Sequence, residues 1–235
     1  MAQTKLLPRI CIALGLPDVP TLLAHARREA LAGEVFLEFR LDFLDHPAAG
    51  AAAISGFLEE FPDCILLATC RRHQNHGKFN GSIEEQLAVL DLAVRNGAHA
   101  IDVEIETAEV SQERLTQFRG RVQVIVSYHN FEATPPMDTV VSRVMKVPAD
   151  AYKMVTTARK PSDNLRVLAV AKMLPKQHLI VLAMGGSARF DASQISSQIY
   201  RRFAGRGGHG IGDKSIRSQI GTAQVTEGEA RSENT

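Results

Sequence analysis

The 235-residue chain lacks the features that mark nucleic-acid-binding and membrane proteins. Its formal net charge is only +1, both signs are interspersed, and no basic stripe with aromatic residues in between stands out. No apolar run is long enough to span a bilayer, and the N-terminal residues lack a signal peptide's order of basic, apolar and small-residue regions. We therefore expect a protein whose partners include neither nucleic acid nor a membrane.

Cysteine is scarce, and its three copies, Cys11, Cys64 and Cys70, are odd in number and lie in or beside apolar runs. This usage argues against a disulfide framework and predicts reduced, buried thiols in a cytoplasmic protein. A zinc site is not expected either, because no CxxC occurs and the eight histidines are scattered. No glycine-rich GxGxxG turn follows the first apolar run, which argues against a dinucleotide-binding fold.

What the chain does have is a regular alternation of short apolar runs with amphipathic, helix-like segments. The runs are rich in Ile, Val and Leu and occupy residues 9–16, 35–44, 64–71, 100–106, 122–129, 151–158 and 178–185. Such repeated strand-then-helix units predict a parallel sheet, because parallel strands need crossover connections. Seven near-equal units favour an α/β fold of the (β/α)8 TIM-barrel type over an open sheet. We expect one barrel domain over residues 1–225 and a polar, disordered tail over 226–235.

Three of the intervening segments carry helix signals. Residues 21–33 and 82–98 are amphipathic, and the second begins with Ser82 and Glu85 at the spacing of a capping box. Residues 160–174 place Pro161 in the opening turn, where proline is favoured.

Charged residues alternate along the second run, where Glu38, Arg40 and Asp42 share one face of the predicted strand. In a barrel this face would point inward and the apolar face toward the helices. The fourth run repeats the pattern with Asp102, Glu104 and Glu106. Interior charges are costly unless they are paired, so two such strands indicate a polar interior.

Further polar residues stand near the ends of other runs: Arg71 after the third, Ser127 and His129 in the fifth, and Lys153 in the sixth. Taken singly, each has an ordinary structural explanation, such as a hydrogen-bonding histidine, a lysine that extends to solvent or a satisfied ion pair. Together they come from several strands and meet at the carboxyl end of a barrel, where active sites lie. Titratable groups gathered in one cleft are typical of a functional site.

These residues suit imine chemistry on a carboxylate-bearing substrate. We expect apolar neighbours and nearby arginines to deprotonate Lys153, which can then attack a ketone or aldehyde to form a Schiff base. His129 can move protons at the neighbouring carbon, and Glu38 could orient its imidazole. Arg40 and Arg71 suit a carboxylate, which guanidinium groups bind in a bidentate way.

The segments EFRLDFLD, TCRR, GKFNGSIEEQ, DVEIE, VSYHNFEATP, YKMVTTARKPSDN and AMGG, in this order, resemble the type I 3-dehydroquinate dehydratases. The resemblance runs from about residue 9 to 186, and its most specific part is SYHxFxxTP followed by the strand lysine. It implies a barrel enzyme of the shikimate route, a homodimer that needs no metal or organic cofactor. The implied reaction is the syn dehydration of 3-dehydroquinate to 3-dehydroshikimate through an imine.

The resemblance also implies a role for each matching residue. Lys153 corresponds to the Schiff-base lysine and His129 to the general acid and base. Glu38 and Arg40 correspond to substrate contacts on the second strand, and Arg71 to the arginine of the third strand. A further substrate-binding arginine is matched by Arg189.

Two segments depart from the family pattern. A glutamate expected a few residues beyond the third-strand arginine, as support for the histidine, is replaced here by Gln74 and Asn75. After residue 185 no convincing eighth strand is visible, and Arg189 follows Met184 at a shorter spacing than in the family. An irregular strand from residues 208–220, cover by another chain, or a C-terminus altered by frameshift or truncation from a longer fusion would each explain this.

Two alternatives to an active dehydratase therefore stay open. One is a barrel without activity that binds a ligand or a partner, suggested by the missing glutamate and the divergent C-terminal quarter. The other is an aldolase that uses the same lysine to cleave a carbon–carbon bond, although no glycine-rich phosphate-binding loop is evident late in the chain.

Overall fold

The computed structural model describes residues 7, 8 and 10–185. The expectations for Arg189, for an eighth strand and for the boundary at residue 225 fall outside these residues.

Seven parallel strands form one sheet whose spatial order is the order of the chain. They are β1 (Ile12–Leu14), β2 (Phe36–Arg40), β3 (Ile65–Thr69), β4 (Ala100–Glu104), β5 (Gln123–His129), β6 (Ala151–Thr157) and β7 (Leu179–Met184). Each strand lies within one of the apolar runs, so the prediction of seven strands in a parallel sheet is confirmed.

Eight α-helices connect or follow these strands in the described part of the chain. They are α1 (Val19–Leu31), α2 (Pro47–Ala52), α3 (Ile54–Glu60), α4 (Ile83–Arg95), α5 (Ile105–Val110), α6 (Gln112–Phe118), α7 (Met137–Val144) and α8 (Pro161–Met173). Short 3₁₀ turns cover Leu41–Phe43 and His73–Asn75.

The predicted helix starts are confirmed at two positions. The Ser82 hydroxyl accepts a hydrogen bond from the backbone N–H of Glu85 at 3.1 Å, and the Glu85 carboxylate accepts one from the N–H of Ser82 at 2.8 Å. This reciprocal pair satisfies two backbone donors that the first turn of α4 leaves open. Pro161 is the first residue of α8, where its missing N–H costs nothing.

The two faces of the sheet bury different side chains. On the outer face, Phe39 of β2 packs edge-on against Phe57 of α3, with ring centroids 5.6 Å apart. The inner face holds a smaller cluster formed by Phe36, Ile65, Leu67, Ala100, Ile125 and Ala151, with Cys11 and Ile180 packed against it. The sheet curls around this inner cluster, to which strands β2 to β6 all contribute side chains. The architecture is that of a (β/α) barrel with seven described strands.

The register of the sheet places the polar residues above the inner cluster. Ser127 of β5 is paired with Lys153 of β6, and His129 is paired with Val155 two residues further on. One expectation fails beyond the end of β4, because this strand ends at Glu104 and Glu106 lies in α5. The alternating pattern therefore predicted Asp102 and Glu104 correctly and Glu106 wrongly. None of the described helices combines the length and the apolar composition that a membrane crossing requires.

Candidate active site

An ion pair between Lys153 and Asp102 stands at the centre of the polar interior. The Lys153 Nζ atom lies 3.0 Å from Asp102 Oδ2, and the two side chains are only 12% and 0% exposed. The hydroxyl of Ser127 donates to Asp102 Oδ1 at 2.5 Å. Arg71 Nη2 lies 3.7 Å from Asp102 Oδ2, which adds a second positive charge to the same carboxylate. Residues of β4, β5 and β6, and one that follows β3, thus meet at one carboxyl group.

The charges of this cluster decide the protonation state of Lys153. Burial by itself lowers the pKa of Lys153, but the carboxylates of Asp102 and Glu38 outweigh it, so the pKa is raised above its ordinary value. Burial likewise raises the pKa of Asp102, and the charges of Lys153 and Arg71 reverse this, so the pKa lies well below its usual range. The resting lysine is therefore an ammonium. The sequence-based expectation of a neutral amine is wrong, because it overlooked the carboxylate on β4.

His129 closes the carboxyl end of β5 and is held in the uncharged form. Burial, followed by the positive charge of Arg71, lowers its pKa from 6.5 to about 3. Its Nδ1 atom is buried and has no hydrogen-bond partner among the described residues. Its ring stacks instead on Phe131, with centroids 5.8 Å apart and planes 10° apart. Phe131 in turn contacts the ring of His76, with centroids 4.4 Å apart.

Glu38 and Arg40, the acidic and the basic residue expected on β2, both have partners within the protein. The Glu38 carboxylate accepts a hydrogen bond from the Thr69 hydroxyl at 2.6 Å. The Arg40 guanidinium is bidentate to Asp42, through Nε at 2.9 Å and Nη2 at 2.8 Å, and lies 4.7 Å from the centre of the Phe43 ring. Glu38 thus acts on Lys153 through its charge, and no described hydrogen bond joins it to His129.

Arg71 differs from Arg40 in having unused hydrogen-bond capacity. The residue is only 6% exposed, and its Nε and Nη2 atoms have no hydrogen-bond partner within residues 10–185. A buried guanidinium with free donors is costly unless an anionic ligand completes its hydrogen bonds. Arg71 is therefore the described residue best suited to bind a substrate carboxylate.

The loop after β3 contains the position where the sequence departs from the family pattern. Asn75 Nδ2 donates to Glu106 Oε2 of α5 at 2.6 Å, so its amide is engaged away from His129. His76 in the same loop has a positive φ of 59°, a conformation that few residues other than glycine adopt. This backbone brings the His76 ring onto Phe131. Neither this ring contact nor the Asn75 bond was anticipated from sequence, because both join distant segments.

A metal ion would need several ligand side chains directed at one point. In the described part of the chain, no group of three or more His, Cys, Asp or Glu side chains is arranged to hold a metal ion. The described part of the site brings together an ammonium, an imidazole and a guanidinium.

Comparison with known families gives a match over most of the chain. The family model described as Type I 3-dehydroquinase matches residues 10–200. The 3-dehydroquinate dehydratase of Dehalococcoides mccartyi strain 195 is 34% identical over 181 residues, which cover 76% of this chain and 75% of the relative. The enzyme of the same name from Desulfotalea psychrophila is 34% identical over 194 residues, or 80% and 82% of the two chains. A third, from D. mccartyi strain BAV1, is 30% identical over 230 residues and 95% of each chain. This last alignment extends into the segment after residue 185.

Solved structures give the same fold. The 3-dehydroquinate dehydratase of Geobacillus kaustophilus superposes with a TM-score of 0.72 at 21% identity and covers 94% of this chain and 93% of its own. The type I enzyme of Clostridium difficile gives a TM-score of 0.68 at 20% identity, over 83% and 92% of the two chains. These likenesses support the predicted TIM-barrel fold.

Proposed function

Because the chain belongs to the type I 3-dehydroquinase family, we propose that it is a hydro-lyase that dehydrates 3-dehydroquinate to 3-dehydroshikimate through a Schiff base on Lys153. The proposal includes the syn course of the elimination and a place in the shikimate route to aromatic amino acids. The relatives named above supply the reaction class, and the geometry of the barrel interior supplies the residues.

The observation that carries the proposal is the placement of Lys153 and His129 on two paired strands. Lys153 pairs with Ser127, and His129 lies two residues further toward the carboxyl end of the same strand. Neighbouring strands are about 4.8 Å apart and residues rise about 3.3 Å each, so both side chains reach one bound molecule. An amine and an uncharged imidazole on neighbouring strands, two residues apart in register, can act on adjacent carbon atoms of one substrate.

The reaction begins at the substrate ketone. Lys153 attacks the carbonyl carbon, water leaves, and an iminium forms that makes the neighbouring C–H bond acidic. His129 takes that proton, since burial and Arg71 keep its imidazole neutral, and then protonates the departing hydroxyl group. The histidine thus serves as base and then as acid, and a water molecule finally hydrolyses the imine, which releases the product and restores Lys153. The Lys153 ammonium must give up one proton before it attacks, and this proton leaves with the ketone oxygen as water. The first step therefore starts from the ion pair between Lys153 and Asp102.

Substrate binding is assigned to the arginines. Arg71 would bind the substrate carboxylate, which would complete the hydrogen bonds that its Nε and Nη2 atoms do not make with any described residue. Arg40, already bidentate to Asp42, would contact a substrate hydroxyl group at the edge of the site, beside Glu38. Arg189 stays a proposed substrate contact from the family resemblance alone.

The test is covalent trapping. The purified chain is incubated with 3-dehydroquinate and borohydride, and intact mass and peptide mapping follow. We expect one adduct on Lys153 in the wild type and none in Lys153→Ala. Lys176→Ala, which changes an exposed lysine, is the matched control and should still be labelled. Full labelling of Lys153→Ala, or no labelling of folded wild-type protein, would refute the imine.

A ligand-binding barrel without turnover is the second candidate. It is favoured by the same cluster, because Lys153 is held as an ammonium and Nδ1 of His129 has no hydrogen-bond partner among the described residues. Under this alternative, 3-dehydroquinate or 3-dehydroshikimate would raise the melting temperature without being converted. Measured turnover of 3-dehydroquinate would exclude it. Release of an aldehyde from a sugar phosphate would instead favour the aldolase, but family membership favours the dehydratase.

We also propose that the protein is a cytoplasmic homodimer, as the family resemblance implies. Light scattering after size exclusion tests the oligomeric state, and a mass of one chain would refute the dimer. Restored growth, without added aromatic amino acids, of a strain that lacks 3-dehydroquinate dehydratase tests the place in the pathway.

A further inference from the structure

Asp102 is bound on both of its carboxylate oxygens, which fixes it beneath Lys153. Its Oδ1 atom accepts the hydroxyl of Ser127 at 2.5 Å, and its Oδ2 atom lies 3.0 Å from Lys153 Nζ. Asp102 is only 1% exposed and is the hydrogen-bond partner of Lys153 among the described residues. A buried ion pair of this kind is strongly disturbed when one partner is removed, because the other charge is left uncompensated.

We propose that Asp102 is the counterion and positioning residue of Lys153, first for the resting ammonium and then for the iminium that replaces it. This inference rests on the proposed function, because it concerns the same imine. Asp102 acts through Lys153 and is assigned no contact with the substrate.

The balance of the reaction explains why a fixed carboxylate is suitable. The lysine ammonium and the substrate ketone become an iminium and one water molecule. Two of the three ammonium protons leave with the ketone oxygen, and the third stays on nitrogen. The charge at this nitrogen is therefore +1 before and after imine formation. A carboxylate that stays ionised faces the same charge at both ends of the step and need not move.

Other charged or titratable groups face Lys153 from the neighbouring elements, and they do not replace Asp102. Besides Asp102, they are Glu38 of β2, Arg71 after β3, His129 of β5 and Cys11 before β1. Glu38 is the second acidic side chain in this set, whereas Arg71 and burial both disfavour a cation. Without the Asp102 charge, the nitrogen would lose its nearest support in both the ammonium and the iminium.

Ser127 has a separate part in this arrangement. Its hydroxyl holds Oδ1, which leaves Oδ2 directed at Nζ. Removing the hydroxyl keeps the negative charge but releases the carboxylate, so we expect a smaller effect than from removal of the charge.

The first test measures the titration of Lys153 without any substrate. Wild type, Asp102→Asn and Ser127→Ala are labelled with trace acetic anhydride across a pH series, and the Lys153 peptide is quantified by mass spectrometry. The exposed Lys172 and Lys176 are internal references. In the wild type we expect the Lys153 midpoint to lie above the references. In Asp102→Asn it should fall by about one to three pH units, to below the references, because a close opposite charge shifts a pKa by that amount. In Ser127→Ala the Lys153 midpoint should lie between those of the wild type and Asp102→Asn.

A purely structural role would give a different result. If loss of Asp102 merely loosened the barrel, Lys153 would become exposed and titrate together with the references. An unchanged midpoint in folded Asp102→Asn would equally overturn the proposal. Should this variant fail to fold, the wild-type profile still decides, since a Lys153 midpoint below the references would show that no counterion holds the charge.

The second test concerns the iminium. With 3-dehydroquinate and borohydride near neutral pH, the fraction of Lys153 trapped should fall at least about tenfold in Asp102→Asn, although its amine is more often neutral. Equal trapping in variant and wild type would overturn the counterion role. If the wild type itself is not trapped, the proposed function fails, and the titration experiment still judges the Asp102–Lys153 pair alone.

Discussion

Replacement of Arg71 gives the sharpest test of how the site binds its substrate. The guanidinium is buried, two of its nitrogen atoms have no hydrogen-bond partner in the described part of the chain, and its contact with Asp102 spans 3.7 Å. If a substrate carboxylate takes both free donors, two charge-assisted hydrogen bonds of about 1.5–3 kcal/mol each are at stake. Arg71→Met should then lower kcat/KM by about 10²–10⁴-fold, since each 1.4 kcal/mol is a factor of about ten.

Arg71→Lys separates charge from geometry. It keeps the positive charge but not the planar fork, so about one of the two bonds is lost and kcat/KM should fall by about 10–100-fold. Steady-state assays of 3-dehydroquinate consumption measure both variants, with Arg95→Met as a control that removes an exposed arginine from α4. The reasoning is refuted if Arg71→Met keeps kcat/KM within about threefold of the wild type, or if Arg71→Lys loses as much as Arg71→Met.

The remaining predictions concern His129, the helix cap and the core. His129→Ala should cut turnover by about 10²–10⁴-fold yet still allow trapping on Lys153, and loss of trapping would contradict the separate roles. The unfolding free energy of the wild type should decrease as the pH is lowered from about 6.5 to about 3, because His129 binds a proton in the unfolded chain but not in the folded protein. In urea unfolding, His129→Asn should lose less unfolding free energy relative to the wild type at about pH 5 than at about pH 7. Equal losses at the two pH values would count against a neutral buried imidazole. Ser82→Ala should cost about 0.5–2 kcal/mol of unfolding free energy by removing the cap of α4, whereas Phe39→Ala should cost about 3–5 kcal/mol, and a smaller effect of Phe39→Ala would show that β2 is not packed as described.

The fold could be predicted from sequence because its determinants are local. Each apolar run is long enough for one strand, and Ser82, Glu85 and Pro161 mark helix starts by their own backbone needs. The strand order follows, since short right-handed crossovers favour neighbours in sequence as neighbours in space. Alternation also predicted that Asp102 would point inward, but it failed at Glu106, where the chain turns into α5.

The protonation state of Lys153 could not be predicted in the same way. Its neighbours along β6 are apolar and suggest a neutral amine, whereas the group that decides the matter, Asp102, lies 51 positions earlier. The ring contact of His76 with Phe131 and the hydrogen bond from Asn75 to Glu106 likewise join segments that are distant in sequence. Such contacts depend on how closely the curled sheet brings its strand ends together. The spacing of apolar residues along the sequence does not predict these distances.

The chain-order arrangement of the sheet has a consequence for synthesis on the ribosome. Every described strand has its partner immediately before or after it in the chain, so β1 to β4 can assemble while later strands are still being translated. Asp102 would be enclosed by that assembly before Lys153 exists. At about 5–20 residues per second, the 51 residues that follow Asp102, up to and including Lys153, take roughly 3–10 s to emerge. During this interval Asp102 has Arg71 as its charged partner, at 3.7 Å, but lacks the closer cation, Lys153. Translation of β6 therefore supplies the cation that lies nearest to the Asp102 carboxylate, at 3.0 Å.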